Sequence, residues 1–415
     1  MKSYKINVKD LLVNISLLIY FSIILLRPYL IKFLGSNNVV LILLFCSISL
    51  LFFSIVLSKK IKKNNIGYIV LCILMCLPFF YKNAYIQDKY YTYMLYFLGT
   101  IAFCIILSFI KLEEKNISFI IRILIVFAFI SSLVTWISFI FPNIYDSIFI
   151  SLLPNEDQLL VRNDFWKLGM KMGLSNHYSR NAFYIVSGII GCIIMRMKKK
   201  KKIYDVFTCI FFITLLLIGK RAHFLFLILS LIISYGLYKK FNMKKIINII
   251  KYIIIGAILL IIAITVIPGT FTVIERLFNL GGGDISTGRF ELYHRVWDLF
   301  HENSYRAIGW GQFSKSTNYF FAGVHNDYLQ LLCETGVVGL GLILYSNLYI
   351  LIKTINLARK NKGNSILFGV LIYQVFFMLY SLTGLPHYDT ETYMIYFIFT
   401  CLIWNNLVYK ENQNV

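Results

Sequence analysis

Twelve apolar runs separated by short polar or basic stretches dominate the pattern of this 415-residue chain. They fall at roughly 11–31, 38–58, 66–81, 91–110, 117–141, 181–197, 203–219, 222–238, 246–268, 336–353, 365–385 and 392–409. About 20 apolar residues cross a hydrocarbon layer as an α-helix, whose backbone N–H and C=O groups pair internally where water is absent. The pattern therefore predicts an all-α integral membrane protein. It is a polytopic bundle of about twelve transmembrane helices, with a large extracytoplasmic loop carrying short amphipathic helices. Helices one to five occupy 1–141, an outer loop 142–180, helices six to nine 181–268, a large extracytoplasmic catalytic loop 269–335, and helices ten to twelve 336–415. The first run follows ten polar and basic residues, has spanning length and lacks a small-residue cleavage site, so it reads as helix one and not as a signal peptide.

Composition agrees. Hydrophobic residues make up 59% of the chain and charged residues 14%, against about a quarter charged in soluble domains. One soluble core could not hide that excess. The net charge of +22 would suggest nucleic acid, but its distribution does not. With the N-terminus inside and the runs alternating, 26 of the 41 basic residues but only 5 of the 19 acids fall in cytoplasmic segments. That asymmetry is the signature of membrane orientation. It predicts a multi-pass protein of the cytoplasmic membrane with both termini cytoplasmic and no nucleic-acid partner. The run Lys198–Lys202 anchors one inner turn and attracts anionic lipid headgroups. The eight cysteines lie in or near apolar runs without metal-ligand spacing, so neither a disulfide framework nor a metal site is expected.

Chemistry concentrates in the outer loops. The larger one reads Gly281-Gly282-Gly283-Asp284, then Ser286-Thr287-Gly288-Arg289, then a helix-like run from Phe290 to about His301, Gly309-Trp310-Gly311, and His325-Asn326-Asp327 before Glu334-Thr335-Gly336. Phe290, Tyr293, Val296, Trp297 and Phe300 recur at helical spacing, predicting an amphipathic helix on the membrane or on the bundle, with Glu291 and Arg295 paired at i,i+4. Arg289 reads as either a headgroup-facing or an anion-binding arginine. His325 precedes a helix that Asn326 or Asp327 caps. A helix N-terminus lowers an imidazole pKa, giving the neutral form a general base needs; a capping or hydrogen-bonded histidine fits the same position. Lys220 and Arg221 form an adjacent cation pair in a very short outer turn, suited to an anionic ligand or to snorkelling toward lipid phosphate. His177 and Arg180 converge in Gly173–Arg180 as a weaker signal, and His387 is weaker still. No GxxxxGK[ST] phosphate loop, Asp-x-Asp pair or dinucleotide fingerprint is present.

Gly-Lys-Arg-Ala at 219–222, Ser-Thr-Gly-Arg at 286–289 with a tryptophan eight residues on, Gly-Trp-Gly at 309–311 and His-Asn-Asp-Tyr-Leu-Gln with Glu-Thr-Gly-Val-Val-Gly at 334–339 follow in order. Together they resemble the O-antigen ligase and O-antigen (capsular, surface polysaccharide) polymerase family, strongly over roughly 215–345 and by topology elsewhere. The resemblance implies a membrane glycosyltransferase with no cofactor. It would move oligosaccharide from a polyprenyl-pyrophosphate donor to a sugar hydroxyl on the outer face of the membrane, by inverting displacement without a metal. It implies Arg221 and Arg289 on the pyrophosphate and His325 as base or acceptor-orienting residue. Lys220, Asn326, His177, Arg180 and Glu334 are the expected substrate-binding residues. The implied partners are the lipid-linked oligosaccharide and membrane lipids, with a chain-length regulator and a flippase of the same pathway. Gly-Lys-Arg stands where many relatives have Ser-Arg. A repeat-unit polymerase is the favoured activity; transfer of finished glycan to a lipid or wall acceptor, and a flippase for the same carrier, are the alternatives.

Overall fold

The computed structural model describes residues 8–58, 65–83, 91–238, 289–316 and 323–411. Regular structure among them is helical, with no β-strand. In chain order the helices are α1 Val8–Leu34, α2 Asn37–Ser58, α3 Ile66–Cys76, α4 Thr92–Phe109, α5 Glu114–Ile140, α6 Asn155–Trp166, α7 Tyr178–Lys199, α8 Ile203–Leu217, α9 Arg221–Tyr238, α10 Arg289–Glu302, α11 Gln312–Ser316, α12 Asp327–Lys360, α13 Ser365–Tyr380 and α14 Thr390–Glu411. Seven of these (α1, α2, α4, α5, α7, α9 and α12) are long and apolar enough to cross a membrane. Shorter apolar helices lie at Ile66–Phe80, Ile203–Leu217, Ser365–Tyr380 and Thr390–Trp404. The ninth predicted run, 246–268, and the segment Gly281–Gly288 fall outside the described residues.

Burial explains how the bundle is layered. Through most of α7 and α13, and through the first half of α14, nearly every residue is buried. Such all-round apolar helices can only occupy a centre. Their aromatic side chains fill it: Phe377 stacks on Tyr396 with centroids 4.2 Å apart, and Tyr373 stacks on Phe399 at the same distance. The α1–α2 hairpin and α9 lie outside, turning Phe45, Phe52, Phe53, Val56 and Leu225 outward. Exposed apolar residues on membrane-length helices belong against lipid chains, not water.

Ion pairs and hydrogen bonds show which helix ends share a face. At one face Lys115 pairs with Asp10 (2.6 Å), Lys198 with Glu114 (2.7 Å), and Arg359 donates to the Leu237 carbonyl (2.9 Å). This basic face gathers the starts of α1 and α5 and the ends of α7, α9 and α12. The opposite ends of those helices gather the outer-loop motifs, and this is termed the motif face below.

Three expectations need amendment. The run at 336–353 is the middle of a longer helix, α12, which begins nine residues earlier and breaks at Gly336. The loop 142–180 is not bare: a wide π-turn, Tyr145–Ile150, leads into α6, and both pack on a satellite core of Tyr145, Val161, Phe165 and Met172. The helix predicted from Phe290 is present as α10, burying Val296, Leu299 and Phe300 while Phe290 and Trp297 stay exposed. Its Arg295, however, pairs with Glu302 (3.3 Å) instead of Glu291. Both partners are exposed, and little energy separates one such surface pairing from another.

Candidate active site

The site is built around the break in α12. Gly336 has φ +72° and ψ −179°, a conformation open essentially to glycine. The break frees carbonyls that the helix would otherwise use, and buried carbonyls need partners. Loop residues supply them: Ile308 N–H donates to Cys333 O (3.0 Å) and Gly309 N–H to Glu334 O (2.9 Å). The Glu334 side chain completes the clamp. It is fully buried, accepting from Gly311 N–H at 2.8 Å and Phe313 N–H at 3.0 Å. Between them Trp310 packs on Phe79, centroids 4.3 Å apart. A side chain at Gly309 would meet the Lys82 carbonyl at 2.3 Å. The Gly-Trp-Gly and Glu-x-Gly motifs are thus two halves of one joint, and Glu334, expected at substrate, sits inside it.

The first turns of α12 are fixed just as firmly. Asn326 is the N-cap, its side chain accepting from Leu329 N–H at 3.1 Å. Asp327, fully buried, donates its N–H to Ser381 O (2.8 Å). Its carboxylate accepts from the Ser381 hydroxyl (3.2 Å), the His387 N–H (3.2 Å) and the His387 ring. The far nitrogen of that ring meets the Asn347 amide at 3.2 Å, and Tyr396 donates to Asn347 (2.8 Å). Val324 N–H is held by Gln330 (3.0 Å). Bracketed by these contacts, His325 takes φ +56°, a left-handed backbone that non-glycine residues seldom adopt. Such conformations persist only where the surroundings enforce them, and they cluster at functional sites.

Around His325 the chain assembles positive charge. Burial first, then the Lys220 ammonium and the Arg289 guanidinium, lower its imidazole from 6.5 to about 4. The imidazole is therefore neutral at pH 7. His177, the N-cap of α7, accepts from Ser179 N–H at 3.2 Å. It too is pushed well below its ordinary value, by burial and then by Lys220, Arg180 and His325. Lys220 lies over the Tyr178 ring, 4.3 Å from its centroid. The Arg289 Nε is buried without a hydrogen-bond partner. Residues from the start of α7, the α8–α9 turn, the start of α10 and the start of α12 thus converge on the motif face.

Other expected residues lie differently. Arg221 heads α9 but is exposed, and it is not among the charges acting on either histidine. Arg180, whose charge also acts on His177, is engaged by its own partners. It donates from Nε to both Asp389 oxygens (3.1 and 2.9 Å) and from Nη1 to Asn176 (2.6 Å), and it lies 3.4 Å from Glu391. Glu391 pairs in turn with buried Arg27 at 3.1 Å. The sequence reading missed this network and the Asp327–His387–Asn347 chain. Charged residues at the ends of apolar runs (Arg27, Asp389, Glu391) were the available signal. Among the described residues no group of three or more His, Cys, Asp or Glu could hold a metal ion.

A family model described as O-antigen ligase matches residues 206–344, from α8 into the middle of α12. The match contains Lys220, Arg221, Arg289, His325, Asn326 and Glu334, and leaves His177 and Arg180 outside. No curated protein matches the chain. Over residues 206–344, about a third of its length, the chain is therefore similar to the O-antigen ligase family.

Proposed function

We propose that the protein is a polysaccharide polymerase, transferring oligosaccharide repeat units from a polyprenyl-pyrophosphate carrier to a growing lipid-linked glycan. The motif face is then the outer face of the cytoplasmic membrane, and about twelve helices span it. The observation that carries the reading is the grouping of two cations, Lys220 and Arg289, around a neutral imidazole, His325. A diphosphate leaving group needs positive charge, and an attacking sugar hydroxyl needs a neutral base.

In this mechanism the acceptor hydroxyl gives its proton to the His325 ring. Its oxygen attacks the anomeric carbon, and the bond from that carbon to the diphosphate oxygen breaks. The electron pair leaves with the diphosphate, whose charge Arg289 and Lys220 hold. Each charge-assisted hydrogen bond to the anion contributes roughly 1.5–3 kcal/mol. Attack opposite the leaving group inverts the anomeric centre, with no covalent enzyme intermediate and no metal invoked. Arg221, next to Lys220 and exposed at the start of α9, is assigned to gathering the diphosphate as it arrives from the bilayer.

The test is the lipid-linked intermediate that accumulates when His325→Ala or Arg289→Ala replaces the wild type at equal protein level. A polymerase defect leaves single repeat units on the carrier. Long polymer stranded on the carrier would instead assign the protein to glycan ligation. Wild-type chain lengths in both variants would dismiss glycosyl transfer by this cluster.

A further inference from the structure

A second polar site lies on the motif face, beside the α7 N-terminus. It is a cavity of about 520 Å³ between the α1–α2 turn, the start of α4, the start of α6, the start of α7 and the start of α14. That volume falls in the range of small-molecule sites, about 300–1,000 Å³.

Its walls are charged but balanced. Arg27, Lys32 and Arg180 face Glu156, Asp157 and Glu391. They are also held in place. Arg27, with its side chain 7% exposed, pairs with Glu391 and stacks over the Tyr96 ring at 4.1 Å. Arg180 is clamped by Asp389, and the Asn176 that it contacts donates onward to Asp157 at 3.1 Å. Lys32 donates to Asn155 at 2.9 Å. Three buried polar atoms at this site remain without a hydrogen-bond partner: Arg27 Nε, the Asn37 side-chain oxygen and a Glu391 carboxylate oxygen, the last lying 3.4 Å from Arg180. Tyr93, whose ring centroid lies 5.1 Å from the Arg27 guanidinium, adds a half-exposed aromatic side chain to the rim.

The contrast with the His325 cluster identifies the class of ligand. There, positive charge acts on neutral imidazoles, which suits a diphosphate. Here, cations and carboxylates cancel, and fixed donors, fixed acceptors, side-chain amides and one aromatic side chain remain. An anion would meet as much repulsion as attraction from these walls. A neutral polyhydroxylated molecule would find a donor or acceptor for each hydroxyl and a ring for its apolar face, and it would not have to displace a charge partner. We infer that this cavity is a saccharide subsite, holding sugar units of the glycan one or more residues away from the bond being made. The inference rests on the glycosyl-transfer reading above. Arg180 in the cavity wall lies two residues from Tyr178, whose ring Lys220 covers, so the two sites flank the same helix N-terminus.

The experiment measures two affinities in the full-length protein in lipid nanodiscs. One probe is an oligosaccharide of one or two repeats, hydrolysed from the surface polysaccharide of the cell that makes this protein and free of lipid and phosphate. The other is inorganic pyrophosphate. Ser36→Trp fills the cavity and Tyr93→Ala removes its aromatic side chain. Each is expected to weaken oligosaccharide binding at least tenfold and to leave pyrophosphate binding within twofold, which also shows that the variants fold. Arg289→Ala is expected to do the reverse, and Leu159→Ala, at an exposed position on α6, to change neither. Oligosaccharide affinity unchanged in both cavity variants, or no binding by the wild type, overturns the subsite. In cells the two readings separate. If only the subsite is wrong, Arg289→Ala alters glycan length and Ser36→Trp does not; if glycosyl transfer is wrong, Arg289→Ala leaves glycan length unchanged as well.

Discussion

The neutrality of His325 can be measured directly. Its shift from 6.5 to about 4 corresponds to roughly 3 kcal/mol against protonation, at about 1.4 kcal/mol per unit. Burial is the largest cause and Lys220 and Arg289 are the next two, so removing one cation relieves only part of it. The assay is a pH titration of ring-carbon chemical shifts in protein labelled with ¹³C-histidine, His325→Gln identifying the one signal of six that belongs to this residue. The wild type should titrate near 4. Arg289→Gln should move the midpoint up, and an isoprenyl diphosphate, which reverses the sign of the local field, should move it further up. The sign for stability follows. Between about 4 and 6.5 the unfolded chain binds a proton that the folded protein refuses, so this residue's contribution is complete above 6.5 and is lost as pH falls toward 4. A midpoint at or above 6.5 without ligand, or one indifferent to both Arg289→Gln and the diphosphate, would refute the electrostatic argument.

Other consequences concern the frame that holds the cluster. Glu334→Ala leaves two buried N–H groups unpaired at about 1–3 kcal/mol each, so a loss of roughly 2–6 kcal/mol should appear in detergent unfolding curves; a midpoint equal to wild type would show that the joint does not depend on this carboxylate. Gly336→Ala forces a methyl group onto a φ of +72° and should cost about 1–3 kcal/mol, read the same way, with no loss if α12 is continuous in the folded protein. Arg27→Met leaves buried Glu391 with Arg180 alone and should cost less than the roughly 3–5 kcal/mol of a fully stranded charge, and Arg27→Met with Glu391→Gln should recover at least half of the loss; an additive double-mutant cycle would mean that the pair is not coupled.

Hydropathy made most of the bundle legible, because spanning length and apolar composition are local properties of the chain. α1, α2, α4, α5, α7 and α9 lie close to their predicted runs for that reason. The Asn326 cap and the amphipathic α10 were legible too, from capping chemistry and helical spacing. The break at Gly336 was not. A glycine in an apolar run reads as helix unless one knows that the loop at 306–313 returns to take the freed carbonyls. The partners of Glu334 were hidden for the same reason: the Gly311 and Phe313 N–H groups come from a separate stretch of chain. The convergence of Lys220, Arg289 and His325 could be expected only from the order of motifs, since more than a hundred residues separate the first from the last. Arg180 shows the limit of proximity in sequence. It lies three residues from His177, yet its guanidinium is taken up by Asp389 and Glu391 from a distant stretch of chain.

The most direct test of the cation–imidazole cluster is single-turnover transfer in nanodiscs, using a purified lipid-diphosphate-linked repeat unit as both donor and acceptor. The account predicts that His325→Ala lowers the rate about 10²–10⁴-fold while the donor still binds, and that Arg289→Ala weakens donor binding and the rate together. Transfer at the wild-type rate in His325→Ala protein would contradict it.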